Sequence, residues 1–195
     1  ATLHSLLFVN LDPSTSVPAR SWDELGSFGF FDGDARTRRA GKWLEYDANW
    51  KLLGQHLTRG VPISANDDDG WIVTENSDGS PVVRAAWLFP NLVLMKAGDE
   101  TCVIALQPTA VGRTMCRIGI YGANPTSLAP WQVLIDRLAE GAIDAHRFIS
   151  NWGTASQPES IGRELPYQAD AVGLWMQEQI AKRAGKSQAK HLASL

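Results

Sequence analysis

Residues 101–122, TCVIALQPTAVGRTMCRIGIYG, decide the fold class. Two runs rich in aliphatic residues, 101–107 and 114–122, are separated by a short connection that contains Val111 and Gly112. Because side chains alternate between the two faces of a strand, each run places three apolar residues on one face. These residues are Cys102, Ile104 and Leu106, followed by Cys116, Ile118 and Ile120. The pattern predicts an antiparallel hairpin whose apolar face must be covered by another layer.

Neighbouring segments extend this hairpin into a larger sheet. Residues 71–76 and 82–95 are β-rich and are separated by turn residues, and residues 3–11 also have the composition of a strand. In residues 42–48, one face carries polar or aromatic side chains and the other carries Leu44, Tyr46 and Ala48. That alternation predicts one more strand.

A short helix and a loop follow that strand. Asn49 precedes a stretch in which Trp50, Leu53 and Leu57 recur at helical spacing, so we predict a helix there. Residues 58–70 contain glycine, proline and three consecutive aspartates and are predicted as a loop. The aspartates lack the alternating spacing of a calcium loop, and a solvated turn is the better interpretation.

Two helices are predicted in the C-terminal part of the chain. Residues 129–150 carry apolar side chains at helical spacing: Trp131, Leu134, Ile135, Leu138, Ala142, Ala145 and Ile149. Residues 167–184 repeat the pattern with Ala171, Val172, Trp175, Met176 and Ile180. Residues 185–195 are predicted as a frayed tail. The result is a single α+β domain over residues 1–184, with the helices covering one face of an antiparallel sheet.

Composition excludes several classes of protein. The chain has 195 residues, is 44% hydrophobic and has a net charge of −3, with no basic cluster that would bind nucleic acid or a membrane surface. Apolar runs are too short to span a bilayer, and no signal peptide is recognisable, so we expect a cytoplasmic protein. Cys102 and Cys116 are expected to be buried thiols, and the four histidines are not spaced as metal ligands.

Candidate catalytic groups have ordinary structural interpretations. Asp136, Glu140 and Asp144 are spaced as one wet face of a helix, and paired strand carboxylates such as Glu45 and Asp47 are common. His146 and Ser150 are helical neighbours without a nucleophile motif, which would place a serine on a tight turn after a strand. We therefore assign no catalytic residue and no metal ligand from these patterns.

Five stretches, in order, resemble the catalytic domain of the α subunit of Rieske-type aromatic-ring-hydroxylating oxygenases. They are residues 7–12 (LFVNLD), 47–52 (DANWKL), 87–92 (WLFPNL), the Leu106-Gln107-Pro108 and Arg113-Thr114 hairpin, and 143–178. The resemblance implies a helix-grip (START-like, SRPBCC) fold, in which an antiparallel sheet wraps around a long C-terminal helix. In that family the enclosed cavity holds a non-haem iron bound by two histidines and a carboxylate, and electrons arrive from a Rieske cluster.

The chain departs from the family at those ligands. Aligned from Asn49, the Glu-Asn pair of the family motif corresponds to Gln55-His56, its Tyr-His pair to Pro62-Ile63 and its last histidine to Asp68. On the C-terminal helix the carboxylate position falls on Ile143, with Asp144 one residue out of phase. Only six residues precede the strand at 7–12, so we also expect the Rieske domain to be absent. A non-haem iron needs three protein donors on one face, and we expect no cofactor.

Three functions follow from this comparison. The favoured hypothesis is a non-catalytic accessory or structural subunit that associates with a full-length Rieske oxygenase α subunit, or with copies of itself. A second is a binding protein for a small apolar or aromatic molecule, in a cavity lined by Trp87, Phe89, Ile104 and Ile118. The favoured alternative is that these four side chains fill the core and leave no cavity. A third is an oxygenase component that uses a partner's Rieske cluster and atypical iron ligands.

Overall fold

The computed structural model describes residues 2–3, 6–7, 23–30, 38–76, 81–82, 84–122, 128–152 and 171–193. The strands are β1 Thr2–Leu3, β2 Leu6–Leu7, β3 Arg38–Tyr46, β4 Val61–Asn66, β5 Trp71–Glu75, β6 Arg84–Leu88, β7 Leu92–Ala97, β8 Glu100–Ala110 and β9 Arg113–Tyr121. The helices are α1 Asp23–Gly26, α2 Trp50–Leu57, α3 Leu128–Trp152 and α4 Ala171–Ala193. Among these residues, seven strands form one antiparallel sheet in the order β3-β9-β8-β7-β6-β5-β4, and the predicted α+β class is confirmed.

The predicted hairpin is the centre of the sheet. Strands β8 and β9 pair antiparallel, with Ile104 opposite Ile118. All six inward residues of the pattern are fully buried in one apolar cluster with residues of α2, α3 and α4. The period-two alternation therefore identified the inner face correctly.

The two cysteines are free, buried and on this same inner face. Cys102 lies opposite Ile120 and Cys116 lies opposite Leu106, so the thiols are not cross-strand partners. Burial raises the pKa of Cys116 to about 12 and holds that of Cys102 well above its usual value. Because a thiol reacts as the thiolate, both cysteines are chemically inert core residues.

Strand β3 and helix α2 also match the sequence. Asn49 is the N-cap of α2, and its side chain accepts a hydrogen bond from the backbone N–H of Lys51 at 3.0 Å. The amide nitrogen of Asn49 donates to the carbonyl oxygen of Val111 at 2.8 Å. The cap therefore ties the start of α2 to the β8–β9 turn.

Strand β4 corrects the sequence analysis, which predicted a continuous loop over residues 58–70. Residues 58–60 and 67–70 lie outside the helices and strands, as predicted, whereas Val61–Asn66 pairs with β5 at the edge of the sheet. Val61, Pro62 and Ile63 are exposed, so this strand has no apolar alternation that a sequence could reveal. Proline is tolerated in it because an edge strand needs hydrogen bonds on one side alone.

Two other predicted strands are divided. Residues 82–95 contain β6 and β7, joined by a turn at residues 89–91 in which the Trp87 indole donates to the Pro90 carbonyl oxygen at 3.0 Å. Residues 3–11 were predicted as one strand, but β1 and β2 pair with each other, and residues 8–11 lie outside the described residues.

The second face of the sheet is also covered, which the sequence did not predict. Leu25 and Phe30, from α1 and the turn after it, pack on a separate apolar cluster. Its sheet residues include Trp71, Val73, Leu88, Leu94 and Val103. The central strands therefore bury both faces, which explains why β6 and β7 each contain four consecutive apolar residues, 85–88 and 92–95.

The two long helices confirm most of the predicted apolar pattern. Trp131, Ile135 and Ala142 of α3 are buried in the main core, but Ile149, predicted to face inward, is 51% exposed. Ala171, also predicted on an apolar face, is exposed at the start of α4. Helix α4 continues into the predicted tail and ends at Ala193, and residues 167–170 lie outside the described residues. None of the described helices combines the length and the apolar character that crossing a bilayer requires.

Helix α2 is held against the sheet at Gly54. A Cβ atom at this position would lie 2.5 Å from the Trp87 ring. This distance is shorter than any contact that a side chain can make with the ring. The Trp87 ring is fully buried, and its centroid lies 6.3 Å from those of Trp50 and Trp175. Glycine at position 54 therefore allows α2 to contact the indole directly.

Gly54→Ala is expected to lower the free energy of unfolding by about 1–3 kcal/mol, because the added methyl group overpacks the core around Trp87. This loss outweighs the helix propensity gained with alanine, which is about 1 kcal/mol. Urea denaturation monitored by circular dichroism measures the change.

Gly26→Ala is the matched control, since a Cβ atom at Gly26 meets nothing within 4 Å. We expect this variant to be as stable as the parent or slightly more stable. Equal unfolding free energies for the Gly54 and Gly26 variants would contradict the packing described here.

Candidate functional site

The residues aligned with the iron ligands do not converge. Ile63 lies on the exposed edge strand β4, and Asp68 lies in the exposed β4–β5 turn. On α3, Ile143 packs against the main core, while Asp144 is exposed and pairs with Arg147 at 3.7 Å. A site built on these positions would have its donors on separate surfaces.

Among the histidines of the chain, His56 is the closest in sequence to positions 63 and 68, where the histidine ligands of the iron were expected. It is half-buried on α2 and packs against α3, where a Cβ atom at Gly141 would lie 2.6 Å from its Nδ1 atom. Among the described residues, no three His, Cys, Asp or Glu side chains form a group that could hold a metal ion. The described residues therefore do not supply the three donors on one face that a mononuclear iron centre needs.

The acidic turn at residues 67–69 has a structural role. The Asn66 side chain accepts hydrogen bonds from the backbone N–H groups of Asp68 and Asp69, at 3.1 and 2.9 Å. The Asp67 carboxylate accepts from Lys182 at 2.6 Å and from Gln179 at 3.0 Å. The segment is a turn, as predicted, and it ties the edge of the sheet to α4.

Three of the other candidate carboxylates are bonded to neighbouring elements. Glu45 and Asp47 both lie within ion-pair distance of Arg113, at 3.6 and 3.4 Å. Asp136 accepts a hydrogen bond of 2.6 Å from the Tyr46 hydroxyl. Burial, together with this carboxylate, raises the pKa of Tyr46 far above its usual value. The Tyr46–Asp136 pair therefore joins β3 to α3.

The four residues predicted to line a cavity lie in packed surroundings. Trp87, Ile104 and Ile118 are fully buried in the main core. Phe89 is half-buried, and the guanidinium carbon of Arg183 lies 4.2 Å from its ring centroid. Their assignment as ligand-binding residues stays a prediction.

A pocket of about 450 Å³ lies on another part of the surface. Residues of α2, α3, α4 and the β8–β9 turn line it, among them Gln55, His146, Met176 and Val111. Sequence analysis missed this pocket because its walls come from four separate segments, none of which carries a recognisable motif. His146 packs closely on the turn, since a Cβ atom at Gly112 would lie 2.4 Å from its Nε2 atom.

Comparison with known proteins shows which solved structures have a similar fold. No protein-family model matches the chain, and no curated protein matches it significantly. Among solved structures, the apo form of the quaternary ammonium Rieske monooxygenase CntA matches with a TM-score of 0.58 and 15% identity, over 89% of this chain and 56% of CntA. Apo dicamba monooxygenase matches with a TM-score of 0.57 and 16% identity, over 92% of this chain and 65% of that protein.

The likeness extends to a complex of one of these proteins. Dicamba monooxygenase with non-heme iron and dicamba matches with a TM-score of 0.56 and 14% identity. At such identities the comparisons establish the fold alone. The chain shares its fold with a part of these Rieske monooxygenases, and it spans between 56% and 65% of the lengths of CntA and dicamba monooxygenase.

Tyr46→Phe is expected to lower the free energy of unfolding by about 1–2 kcal/mol, because it removes the hydrogen bond to Asp136. The substitution also changes the pH dependence. The raised pKa of Tyr46 contributes stability that is fully present below about pH 10, the unfolded value, and is lost as the pH rises above it. Urea denaturation at pH 7 and above pH 10 measures both effects.

The same measurements in an Asp136→Ala background complete a double-mutant cycle. We expect Tyr46→Phe to cost less in that background. If the parent and the Phe variant lost stability equally above pH 10, the assignment of the tyrosine would be incorrect.

Proposed function

We propose that this chain is a non-catalytic relative of the catalytic domain of Rieske oxygenase α subunits. In this proposal it keeps the helix-grip (START-like) scaffold of the SRPBCC superfamily and acts as an accessory or structural subunit of an iron-bearing oxygenase. The observation that carries the proposal is the location of the expected ligand positions on different elements, with Ile63 and Asp68 at the sheet edge and the half-buried Ile143 on α3.

The preserved scaffold supports a structural role. Helix α3 spans 25 residues and buries Trp131, Ile135, Ala139 and Ala142 in the main core beside β8 and β9. The Trp131 indole donates to the buried Glu100 carboxylate at 2.7 Å. A domain that has lost its metal donors while retaining such packing can still present a specific surface to a partner.

Strand β3 offers a surface for such a partner. It is an edge strand of the described sheet, and its Trp43 side chain is 52% exposed. The guanidinium carbon of Arg117 lies 5.7 Å from the Trp43 ring centroid. Tryptophan and arginine are enriched at protein interfaces, and an open strand edge can pair with another chain.

A cytoplasmic location is part of this proposal. Cys102 and Cys116 are free thiols in the core, an arrangement that is stable in a reducing compartment.

The composition of the native assembly tests the accessory role. The chain is co-expressed with a complete Rieske oxygenase α subunit, and the purified material is analysed by native mass spectrometry and by elemental analysis. We expect a complex of both chains, in which the iron belongs to the α subunit, and a metal-free preparation when this chain is expressed alone. Stoichiometric iron in this chain alone would overturn the non-catalytic assignment, and a clean monomer beside the α subunit would overturn the accessory role.

Trp43→Ala tests the surface. We expect it to weaken the complex by about tenfold or more, because exposed tryptophans at interfaces are frequent hot spots. Leu174→Ala is the control, since Leu174 is 51% exposed on α4, a helix that packs against α2. Equal effects of the two substitutions would exclude β3 as the contact.

A further inference from the structure

We propose that the pocket between α2, α3 and α4 binds a small amphipathic organic anion, with an apolar body and one carboxylate. This site is separate from the ligand positions discussed above, and the inference does not depend on the accessory role. The proposal is based on the apolar walls of the pocket, its single cation and the absence of acidic side chains among its described lining residues.

The walls of the pocket are mainly aliphatic. Leu52 comes from α2, Ile149 from α3, Met176 and Ile180 from α4, and Val111 from the β8–β9 turn. Ile149 and Val111 are 51% and 83% exposed, which is unusual for large apolar side chains. Apolar residues that are exposed together at a concave surface mark a binding site more often than a chance arrangement.

Lys51 supplies the charge. It is the one Lys, Arg, Asp or Glu residue among the lining residues, and no carboxylate pairs with it in the described part of the chain. Its Nζ atom lies 6.0 Å from the centroid of the Trp50 ring. An ammonium group beside an apolar pocket favours an anion over a neutral or cationic ligand of the same shape.

Neutral polar groups complete the pocket. Gln55 is 6% exposed, and Gly173 on α4 permits close approach, because a Cβ atom there would lie 2.7 Å from the Gln55 Nε2 atom. Gln177 and His146 also line the pocket. Amide groups donate hydrogen bonds without adding charge, so they orient a carboxylate but leave the selection by charge to Lys51.

The volume sets the size of the ligand. A pocket of about 450 Å³ lies in the range that encloses compact organic molecules of one or two rings. We therefore choose 1-naphthoate as the probe, with 1-naphthamide as its neutral isostere and 1-naphthylmethylamine as its cationic counterpart.

Isothermal titration calorimetry at neutral pH and low salt tests the proposal. We expect 1-naphthoate to bind the full chain about twofold to fivefold more tightly than 1-naphthamide, the range for an exposed charge pair, and the amine to bind more weakly still. Lys51→Met should remove this preference while retaining the apolar stem. Lys42→Met is the matched control and should leave it unchanged, since Lys42 is an exposed lysine on β3 that bonds to Gln132.

A second pair of variants tests the location without relying on charge. Ile149→Trp fills the pocket from α3 and is expected to abolish binding of both the naphthoate and the amide. Val133→Trp, at an exposed position of the same helix, should leave the affinity for both ligands unchanged. The proposal is overturned if naphthoate does not bind at millimolar concentration, if the amide binds as tightly, or if Lys51→Met or Ile149→Trp has no effect. Circular dichroism confirms that each variant is folded.

Discussion

The contact between Gly54 and Trp87 constrains the rest of the structure. Because the indole ring lies where a Cβ atom would be, the backbone of α2 at Gly54 contacts the Trp87 side chain of β6 directly. The ring centroids of Trp50 and Trp175 each lie 6.3 Å from that of Trp87. That position of α2 determines where the chain enters β4 and which faces of α3 and α4 meet the helix. A larger residue at position 54 would move α2 away from the sheet and disturb each of these contacts.

The same helix separates the interior from the proposed binding pocket. Leu53 and Leu57 face the main core, whereas Lys51, Leu52 and Gln55 line the pocket. His56 packs on α3 at Gly141, so the histidine is held by close packing in a region without further metal donors among the described residues. The chain shares its fold with a part of Rieske monooxygenases, and the packing of its described core consists of apolar contacts that do not require metal ligands.

Sequence patterns predicted an element correctly where its apolar residues followed one clear period. They failed where an element was uniformly exposed, or where two neighbouring strands were uniformly buried. The hairpin of β8 and β9 was predicted because apolar residues, Ile104 and Ile118 among them, recur at every second position of two runs separated by a turn. Strand β4 was missed because Val61 and Ile63 are both exposed, and a proline in an edge strand looks like a loop signal. The turn between β6 and β7 was missed, although Pro90 and Asn91 mark the boundary, because both strands are buried on two faces and neither shows polar alternation.

The amino-acid sequence by itself determined the α+β class, the central hairpin, the capped helix α2 and the two long helices, since these depend on local spacing and on short-range hydrogen bonds. Only the tertiary structure decided whether side chains that are distant in sequence meet. Trp87, Ile104 and Ile118 could have been a solid core or a cavity wall, because both require apolar residues, and they are fully buried. The pocket beside Lys51 exists because four segments end close together, and their relative positions are set by packing that no single segment encodes.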